Sequence, residues 1–518
     1  MQNKALLILL LILVIASFFR LWQLANLPGG LFPDEAANGQ DALLILKGEH
    51  SPFFERGLGR EALYFYLLAI PIALFGVGVW QIHIVSAFIG ILTVIATWFL
   101  ARKLFNTRIA FLASFFIATS TWHVILSRTG FRAILVPLLA TLFFYFTYLT
   151  FKEDSLKKRN LFAILAGLSV GLGFYTYISF RAMIAIIGVL FVALLIMNRG
   201  IFKQYWRQII VGLISMLLIF SPLIIYFINH PGTFMGRAGS VSIFSKDLNQ
   251  GDLLGTFLNV AEKTFWMFFT EGDLNWRHNV SGYSMLNPLV AIFFAVGFIY
   301  SALLVVLSLF KRDSFLKNFK YFFLIVWFLG MLGPELLSAE GIPHGLRAIG
   351  AMPVVFLFSA IAIDFFWNRI KSSLKIGKAL LFLAVFLGIA LTISLAHDYI
   401  LYFGISANSP EFHYDYRSDL TTVSDYLNER NLKEKTYLVL DEYSVQTPDF
   451  LTAPNNQPYI LVDPATSYQT KLKSGDQIVF TQSTIFDTQK FKEYHPEAKL
   501  TEQKYNQFFQ EIMRVYEY

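Results

Sequence analysis

The stretch ALLILLLILVIASFF, at residues 5–19, contains no charged residue and directly follows Lys4. The apolar region of a secretory leader can have this composition, but no small-residue cleavage site follows it, and many more apolar segments do. We therefore predict a first transmembrane helix. Ten more apolar runs come near or above the roughly 20 residues needed to cross a bilayer: 82–101, 109–126, 133–151, 161–178, 182–198, 208–228, 287–310, 321–338, 347–367 and 379–396.

The composition agrees with a lipid environment. Hydrophobic residues make up 56% of the 518 residues and charged residues 15%, whereas an ordinary soluble domain has about 25% charged residues. The chain has no cysteine, which excludes a disulfide, a thiolate metal site and a cysteine nucleophile and leaves the redox compartment open.

Loop charge predicts the orientation of the chain. The loops at 102–108, 152–159, 199–207, 311–320 and 369–378 are rich in Lys and Arg, which is typical of cytoplasmic loops. With the N-terminus on the same side, the run 61–79 cannot be a further crossing, because it would break the alternation of sides. We predict that this run, which contains Pro71, lies in the interface or re-enters. This gives about eleven crossings, a cytoplasmic N-terminus and a C-terminus outside.

The net charge of +7 is unevenly divided, with +13 on residues 1–398 and −6 on residues 399–518. The basic part suits anionic lipid headgroups and a phosphate-bearing ligand, or it reflects only the usual bias of cytoplasmic loops. A nucleic-acid partner is not expected, because the basic residues stand in short loops between apolar runs. We predict two domains, a transmembrane domain at 1–398 and a small extracytoplasmic α/β domain at 399–518.

The tail from 399 to 518 alternates two kinds of segment. Strand-like runs occur at Tyr437–Leu440, Tyr459–Val462 and Gln477–Phe480, and helical runs at Leu420–Leu427 and Tyr505–Met513. This alternation is typical of a small α/β domain.

Five polar clusters fall in loops predicted to lie outside, and we expect them to share one site. Each also has a structural interpretation: a helix start for paired acids, headgroup anchoring for arginines, the aromatic belt for tyrosines and a capped turn for the rest. The clusters are Asp34 with Glu35; Arg128 with Arg132; Tyr175 and Tyr177 with Arg181; Arg277, His278 and Asn279; and His344 with Arg347.

A divalent metal is a further option for these loops. His123, His278 and His344 could bind one together with Asp34 or Glu35. Their spacing fits no standard zinc pattern, so we do not predict a metal or any other cofactor.

In this order the motifs resemble the GT-C superfamily of membrane glycosyltransferases, and most closely glycosyltransferase family 39, the protein-mannosyltransferase and aminoarabinose-transferase type. The resemblance covers essentially the whole chain. The matching elements are Asp34-Glu35, Leu74-Phe75-Gly76, Leu100-Ala101-Arg102-Lys103-Leu104-Phe105, Tyr175-Thr176-Tyr177 followed by Arg181, Arg277-His278-Asn279, and Pro343-His344 up to Arg347.

The resemblance implies an odd number of crossings and transfer of one sugar from a polyprenyl-phosphate carrier to an acceptor hydroxyl on a glycan, lipid or protein. The family's catalytic acid maps onto Asp34, with Glu35 in support. Aminoarabinose transferases carry an Asp before the proline of the second outer loop, where this chain has Val136 before Pro137. That departure weakens the carry-over of metal binding and of their acceptor.

The resemblance and the charge pattern together suggest roles for the remaining clusters. We expect Arg128, Arg132 and Arg181 to hold the donor phosphate. Substrate contacts are then expected from Tyr175, Tyr177, Arg277, His278, Asn279, His344 and Arg347. The protein would act in the plasma membrane by a single inverting displacement with Asp34 as general base.

Two other classes of protein are weighed against this function. A transporter or lipid flippase would place acids or paired broken helices at the membrane midplane, whereas Glu335 and Asp364 lie near the ends of their runs. A structural or sensory protein that only displays its tail would not need clustered acids and arginines in its outer loops.

Overall fold

Long apolar helices make up most of the chain. The structure, a computed structural model, describes residues 2–234, 236–373, 377–429, 435–456 and 459–518. The helices are α1 (Gln2–Leu21), α2 (Pro33–Leu46), α3 (Leu63–Phe75), α4 (Val79–Leu104), α5 (Thr107–Thr119), α6 (Thr121–Ser127), α7 (Leu135–Lys152), α8 (Leu156–Gly173), α9 (Ala182–Met197), α10 (Gly200–Asn229), α11 (Gly236–Val241), α12 (Lys246–Asn249), α13 (Leu253–Trp266), α14 (Pro288–Ser308), α15 (Arg312–Leu336), α16 (Met352–Ser373), α17 (Gly377–Tyr399), α18 (Pro410–Asp415), α19 (Ser418–Glu429), α20 (Gln446–Leu451) and α21 (Thr488–Tyr494). The strands are β1 (Phe53–Phe54), β2 (Arg60–Glu61), β3 (Thr436–Val439), β4 (Ile460–Val462), β5 (Gln477–Thr481), β6 (Lys499–Tyr505) and β7 (Glu511–Glu517).

The chain is a multi-pass membrane protein. Within the described ranges, nine helices are long and apolar enough to cross a membrane, and α5 with α6, bent by 59°, makes a tenth if the pair is one span. The predicted number was about eleven. The difference is α8, which has 18 residues but begins with three basic ones, Lys157, Lys158 and Arg159; counted as a span, it restores eleven.

The helices alternate in direction, so their loops gather at two ends of the bundle. We call the end that holds the C-termini of α1, α6 and α8 and the N-termini of α4, α7 and α9 the site end. The predicted interfacial run lies there as α3, which has 13 residues with Pro71 inside it. At 1.5 Å per residue α3 is about 20 Å long, short of the roughly 30 Å hydrocarbon core. It therefore adds no crossing.

Helix α16 forms the centre of the bundle. In the span Ile349–Ser372, 89% of the apolar stretch is buried, against 11% in the span Gly200–Asn229 at the periphery. Helix α14 packs closely on α16 because Gly297 has no side chain: a Cβ there would collide with the carbonyl oxygen of Phe358. Small residues at such crossings let membrane helices approach and gain dispersion contacts.

The C-terminal residues form a small α/β unit with a five-stranded sheet. Its strand order is β4-β3-β5-β7-β6, with β3 parallel to β4 and β5, and β7 antiparallel to β5 and β6. The three predicted strands are present as β3, β4 and β5, and the helical run Leu420–Leu427 is present within α19.

The predicted helix Tyr505–Met513 is wrong. The segment is the turn of the β6–β7 hairpin, where the Asn506 side chain accepts the backbone N–H groups of Phe508 and Gln510 at 3.0 Å each. Strand β7 gains its partner from β5, which is distant in sequence. The pairing outweighs the local helix preference, as tertiary context commonly does.

The predicted domain boundary at 398/399 lies inside a continuous helical segment. Helix α17 passes into a π-helical turn at Ile400–Ile405 and a 3₁₀ turn at Ser406–Asn408. The last span therefore extends to Asn408.

Candidate functional site

Helix α2 begins with the two acids singled out in the sequence, and the structure separates them. Successive helical residues point about 100° apart, so Glu35 is fully buried while Asp34 is exposed. The Glu35 carboxylate accepts hydrogen bonds from the backbone N–H groups of Phe32 (2.9 Å) and Gly130, and its Oε1 lies 3.1 Å from His83 Nε2. Glu35 thus holds the start of α2 against the loop between α6 and α7 and has no exposed surface for a substrate, which corrects the supporting catalytic role expected for it.

Asp34 remains available to a substrate. It lies in the first turn of α2, and Tyr443 of the C-terminal unit donates its hydroxyl to Asp34 Oδ1 at 3.1 Å. The ring of Tyr443 meets the ring of Phe32 edge-on at 6.0 Å, and the guanidinium of Arg277 lies 3.5 Å from the centroid of that Phe32 ring. Asp34, Arg277 and Tyr443 therefore lie around the same helix start.

A polar strip continues along α2 from Asp34. Asn38 and Asp41 follow at the four- and seven-residue spacings that share one helix face. Arg60 donates to Asn38 Oδ1 at 2.9 Å and to Asp41 Oδ2 at 2.7 Å, and Arg56 donates to Asp41 Oδ1 at 3.1 Å. Burial raises the pKa of Asp41, against the opposing pull of Arg60 and Arg56. Burial lowers the pKa of Arg60 to about 10, so Arg60 stays charged near neutral pH.

The strip ends at a third acid, Glu61, which lies between two of the predicted phosphate ligands. Arg132 Nε is 3.3 Å from Glu61 Oε2, and Arg181 Nη2 is 3.5 Å from Glu61 Oε1. Arg132 also packs on the ring of Tyr177, with 5.3 Å to its centroid. Two guanidinium groups face one carboxylate here, so the cluster carries a net positive charge. The free space between them is only about 10 Å³, roughly that of one water molecule.

The third predicted phosphate ligand, Arg128, is not available to a phosphate. Its side chain is fully buried, and its guanidinium donates to the carbonyl oxygens of Phe19 (3.1 Å), Trp22 (2.8 Å) and Leu27 (2.7 Å) and to the hydroxyl of Tyr402 (2.9 Å). These hydrogen bonds hold the loop between α6 and α7 against the end of α1. The prediction for Arg128 is corrected to a structural role.

A compact polar cluster forms where the loop before α14 meets the loop before α16. His278 Nδ1 lies 2.8 Å and His344 Nδ1 3.9 Å from Asp273 Oδ2, and the two imidazole rings are 4.5 Å apart. The three residues could hold a divalent cation, since one ligand atom from each lies within 4.8 Å of the others. However, Asp273 Oδ2 accepts the backbone N–H of Gly345 at 2.8 Å and Oδ1 that of Asn275 at 2.9 Å. The carboxylate is therefore satisfied by protein donors, and no metal is needed to explain the cluster.

The sequence suggested that His123, His278 and His344 could bind a metal together with Asp34 or Glu35, and the structure differs in the first histidine and in the acid. His123 lies elsewhere, with its Nδ1 2.6 Å from Arg20 Nη2 inside the bundle. The acid beside the other two histidines is Asp273, rather than Asp34 or Glu35.

Three other predicted substrate residues shape loops. The Tyr175 hydroxyl donates to the carbonyl of Ile219 at 2.8 Å and fixes α10. Asn279 Nδ2 donates to the carbonyl of Tyr283 at 2.7 Å. Arg347 Nη2 pairs with Glu340 at 3.3 Å.

Sequence reasoning missed six polar residues of the site: Asn38, Asp41, Arg56, Arg60, Glu61 and Tyr443. Five of them belong to α2 or the β1–β2 hairpin, and a signal for three was present. Arg56, Arg60 and Glu61 stand directly before an apolar helix, with Gly57 and Gly59 between them. Charges at the edge of an interfacial helix are costly unless they are used or paired. Nothing in the sequence marked Tyr443, because its contact joins residues 409 positions apart.

Comparison with known proteins supports the class that this geometry suggests. The family model "Dolichyl-phosphate-mannose-protein mannosyltransferase" matches residues 62–226, which is less than half of the chain. Among curated proteins, none matches this sequence. Solved structures match over almost the full length.

ArnT from Cupriavidus metallidurans in the apo state is 12% identical, with a TM-score of 0.56 over 99% of this chain and 98% of that chain. The same protein bound to undecaprenyl phosphate gives a TM-score of 0.53 at 12% identity over 99% and 97%. The oligosaccharyltransferase AglB from Archaeoglobus fulgidus, in complex with an inhibitory peptide and a dolichol-phosphate, is 14% identical, with a TM-score of 0.53 over 98% of this chain and 74% of that chain.

The chain therefore has the fold of the GT-C membrane glycosyltransferases, and the resemblance seen in its sequence is confirmed. Within that fold, residues 62–226 carry the similarity to the dolichyl-phosphate-mannose-protein mannosyltransferase model.

Proposed function

We propose that this protein transfers a single sugar from a polyprenyl-phosphate carrier to an acceptor hydroxyl. One observation carries the proposal: a continuous polar strip joins Asp34, through Asn38, Asp41 and Arg60, to the Glu61–Arg132–Arg181 cluster at the site end of a GT-C fold. The strip supports a candidate base and a candidate phosphate site at the same end of the bundle. Asp34 and Asp41 are about 10 Å apart along α2 at 1.5 Å per residue, and the arginines of the phosphate site lie beyond Asp41 and Arg60.

The donor phosphate is assigned to Arg132 and Arg181. A guanidinium binds phosphate oxygens in a planar, forked geometry that no other side chain provides. The space between the arginines is too small for a phosphate beside Glu61, so the phosphate replaces the carboxylate as their partner. Before the donor binds, Glu61 is the ion-pair partner that keeps the guanidinium groups of Arg132 and Arg181 in position.

The reaction needs a base and a cationic leaving-group site. Asp34 takes the proton from the acceptor hydroxyl as its oxygen attacks the anomeric carbon. The bond from that carbon to the phosphate oxygen breaks on the opposite side, so the configuration inverts. The polyprenyl phosphate leaves with its negative charge stabilised by Arg132 and Arg181, and no strong general acid is required.

The acceptor is assigned to the surface around Asp34. Phe32, Arg277 and Tyr443 surround the carboxylate with two aromatic rings and a cation. Aromatic faces and hydrogen-bonding tips suit a sugar or a peptide segment. Tyr443 comes from the C-terminal unit, so that unit supplies one wall of the acceptor site, and a glycan, lipid or protein acceptor would dock between it and α2. His278, which is buried, and His344 lie in the neighbouring loops.

We infer that the site end faces outward from the plasma membrane. The opposite end carries the Lys- and Arg-rich loops that favour the cytoplasm. Activated sugar beyond that membrane has to arrive on a lipid, which agrees with a phosphate site at the membrane surface.

The main alternative, a transporter, receives less support from the described helices. Asp364 lies nine residues before the end of α16 but pairs at 2.5 Å with Arg108 in the first turn of α5, and Glu335 accepts the backbone N–H of His344 near the end of α15. Both acids therefore have partners at an end of the bundle. One bent pair, α5 with α6, occurs in the described part of the chain, rather than the two that alternating access typically uses.

The experiment begins with a mass spectrum of the lipids that copurify with the protein, which identifies the carrier. Turnover of that labelled carrier is then measured with purified protein in lipid. Asp34→Asn keeps the shape of the side chain and removes its basicity, so we expect a loss of about 10²- to 10⁴-fold with normal folding and carrier binding. Glu49→Gln, at an exposed acid beyond the end of α2, is the control and should be active. Near-normal turnover by Asp34→Asn contradicts the mechanism.

A further inference from the structure

The hairpin between β6 and β7 ends in an aromatic tip, which we define as residues 505–510. The tip is uncharged and contains three aromatic residues. Phe508 is partly buried, whereas Phe509 keeps 91% of its surface exposed. Phe509 also has a φ of +61°, a backbone conformation that favours Gly or Asn over a bulky side chain. A phenylalanine is unfavourable here on both counts unless its ring has a partner outside the chain.

The topology of the sheet places this tip at the edge that faces the transmembrane helices. Strands β3 and β5 are parallel, so their carboxyl ends lie at one edge of the sheet. Thr481, the last residue of β5, pairs with Met513 near the start of β7, which brings the tip to that same edge. Tyr443, which follows β3, contacts Asp34 of α2 from there. The tip therefore points towards the membrane domain.

The tip contacts the chain where the last span ends. Gln507 Nε2 lies 3.5 Å from the carbonyl oxygen of Ala407, and the ring of Phe508 lies 5.3 Å from that of His413, just beyond the span. The span Leu381–Asn408 has 28 residues, roughly 42 Å at 1.5 Å per residue. That length matches a bilayer with its headgroup regions, about 40–45 Å, so the tip lies at the height of the outer headgroups of this leaflet.

A cluster of aromatic residues marks the membrane surface beside the tip. Phe18 and Trp22, at the end of α1, are exposed and stack at 5.7 Å, while Tyr399 lies 6.3 Å from Phe18 and 5.1 Å from Phe403. Aromatic belts of this kind lie at the level of the headgroups. From Phe403 to Ala407 is only about 6 Å along the helix, comparable to the roughly 5–7 Å headgroup region on each side of a bilayer.

We propose that the tip of the β6–β7 hairpin inserts Phe509 into the phospholipid headgroup region beside the last span. The lipid surface is the partner because the tip is uncharged, lies next to a span that is itself in lipid and continues the aromatic cluster of that span. Aromatic rings are well suited to this interface. Inserted in this way, the hairpin anchors the C-terminal unit to the membrane independently of its contact with α2. The proposal does not depend on the sugar or the acceptor.

The absence of cysteine from the chain allows a direct test with a single nitroxide spin label, on full-length protein in phosphatidylcholine liposomes. A label at Phe509→Cys should collide more with oxygen, which concentrates in lipid, than with a water-soluble nickel chelate. Tyr494→Cys is the matched control, an aromatic residue of the same unit that is 59% exposed. It lies at the opposite edge of the sheet, because the ring of the adjacent His495 is 5.8 Å from that of Tyr518, which follows β7.

The control label should show the reverse preference, for the nickel chelate. A label at position 509 that prefers the nickel chelate shows a tip in water and overturns the proposal. A label there that is shielded from both reagents shows a protein contact, such as a second copy of the chain, and overturns it as well. Thermal unfolding midpoints confirm that each labelled variant is folded.

A second measurement needs no label and depends on the sign of an effect. Phe509→Asn removes the ring and suits the positive φ, so in water it should leave hydrogen exchange of the β6–β7 backbone unchanged or slower. If the ring is in the headgroup region, the same change in liposomes should make this exchange about tenfold faster, because the burial of a phenyl ring is lost. Tyr494→Asn should not alter exchange in the hairpin. Unchanged or slower exchange in Phe509→Asn overturns the proposal whatever the label shows.

Discussion

Neighbouring residues of one type can have unrelated roles, and burial decides between them. Asp34 and Glu35 are adjacent acids, yet one is exposed beside Tyr443 and the other is enclosed by Phe32, Gly130 and His83. Arg128 and Arg132 differ in the same way. A buried charged group is tolerated because donors or acceptors surround it, and those partners leave it unavailable to a ligand.

At the residue scale, this contrast predicts opposite phenotypes for the arginines. Arg132→Gln and Arg181→Gln should each weaken binding of the copurifying carrier lipid by about 10- to 150-fold, the equivalent of roughly 1.5–3 kcal/mol for a charge-assisted contact, with little change in thermal stability. Lys at either position should restore only part of the affinity, because it lacks the fork. Arg128→Gln should instead lower the unfolding midpoint and leave the affinity of the folded fraction unchanged. A carrier-binding titration with a melting curve for each variant distinguishes the two patterns, and weaker binding in Arg128→Gln alone would reverse the assignment.

At the scale of elements, α2 contacts both the loop between α6 and α7 and the C-terminal unit, and so connects the parts of the candidate site. Its Asn38 side chain donates to the carbonyl of Gly130 at 2.8 Å, and this hydrogen bond fixes the loop between α6 and α7 against α2. Above it, Thr447 donates to the carbonyl of Leu31 at 2.9 Å, and Gln40 donates to the carbonyl of Gln446 at 2.9 Å. The C-terminal unit is therefore fixed to α2 through α20, and the position of Tyr443 depends on that contact.

Gly39 is the point where this contact can be tested. A Cβ on Gly39 would lie 2.5 Å from a ring atom of the buried Phe450 in α20, whereas a Cβ on Gly188 in α9 would meet nothing within 4 Å. Both changes to Ala gain helix propensity, about 1 kcal/mol. Gly39→Ala should nevertheless destabilise by about 1–3 kcal/mol through overpacking, expose the C-terminal unit to limited proteolysis and reduce sugar transfer. Gly188→Ala should be neutral or more stable. Identical proteolysis patterns for the two variants would show that the C-terminal unit does not depend on α2.

At the scale of the whole molecule, the alternation of helices gathers the site loops at one end and the Lys- and Arg-rich loops at the other. The orientation depends on α8, whose basic first turn removes it from a count based on apolar composition. If α8 crosses, the site end and the C-terminal unit lie on the same side of the membrane, opposite the N-terminus.

Reporter fusions test this orientation. A reporter placed within 152–159 should report the cytoplasm, and one placed after Ser409, beyond the end of the last span, should report the outside. The expected difference follows from eleven crossings and the Lys/Arg bias of the loops. Cytoplasmic signals from both positions would remove α8 from the spans and place the C-terminal unit inside, against an outward-facing site.

The sequence by itself determined the properties that depend on a local stretch of chain. The spans, the short apolar α3 and the position of Asp34 after the first span all follow from apolar length and Pro71. Three strands and one helix of the C-terminal unit were predicted for the same reason. The GT-C resemblance also followed from motifs in order along the chain.

Only the tertiary structure decided which polar residues are exposed and which are buried with partners. The pairing of Glu61 with Arg132 and Arg181, the burial of Glu35 and Arg128, the contact of Tyr443 with Asp34 and the pairing of β7 with β5 all join residues distant in the chain. The energy of a charged group is set by how much water it loses and which partners replace that water. Those partners come from other helices, so their identity is fixed only when the helices pack.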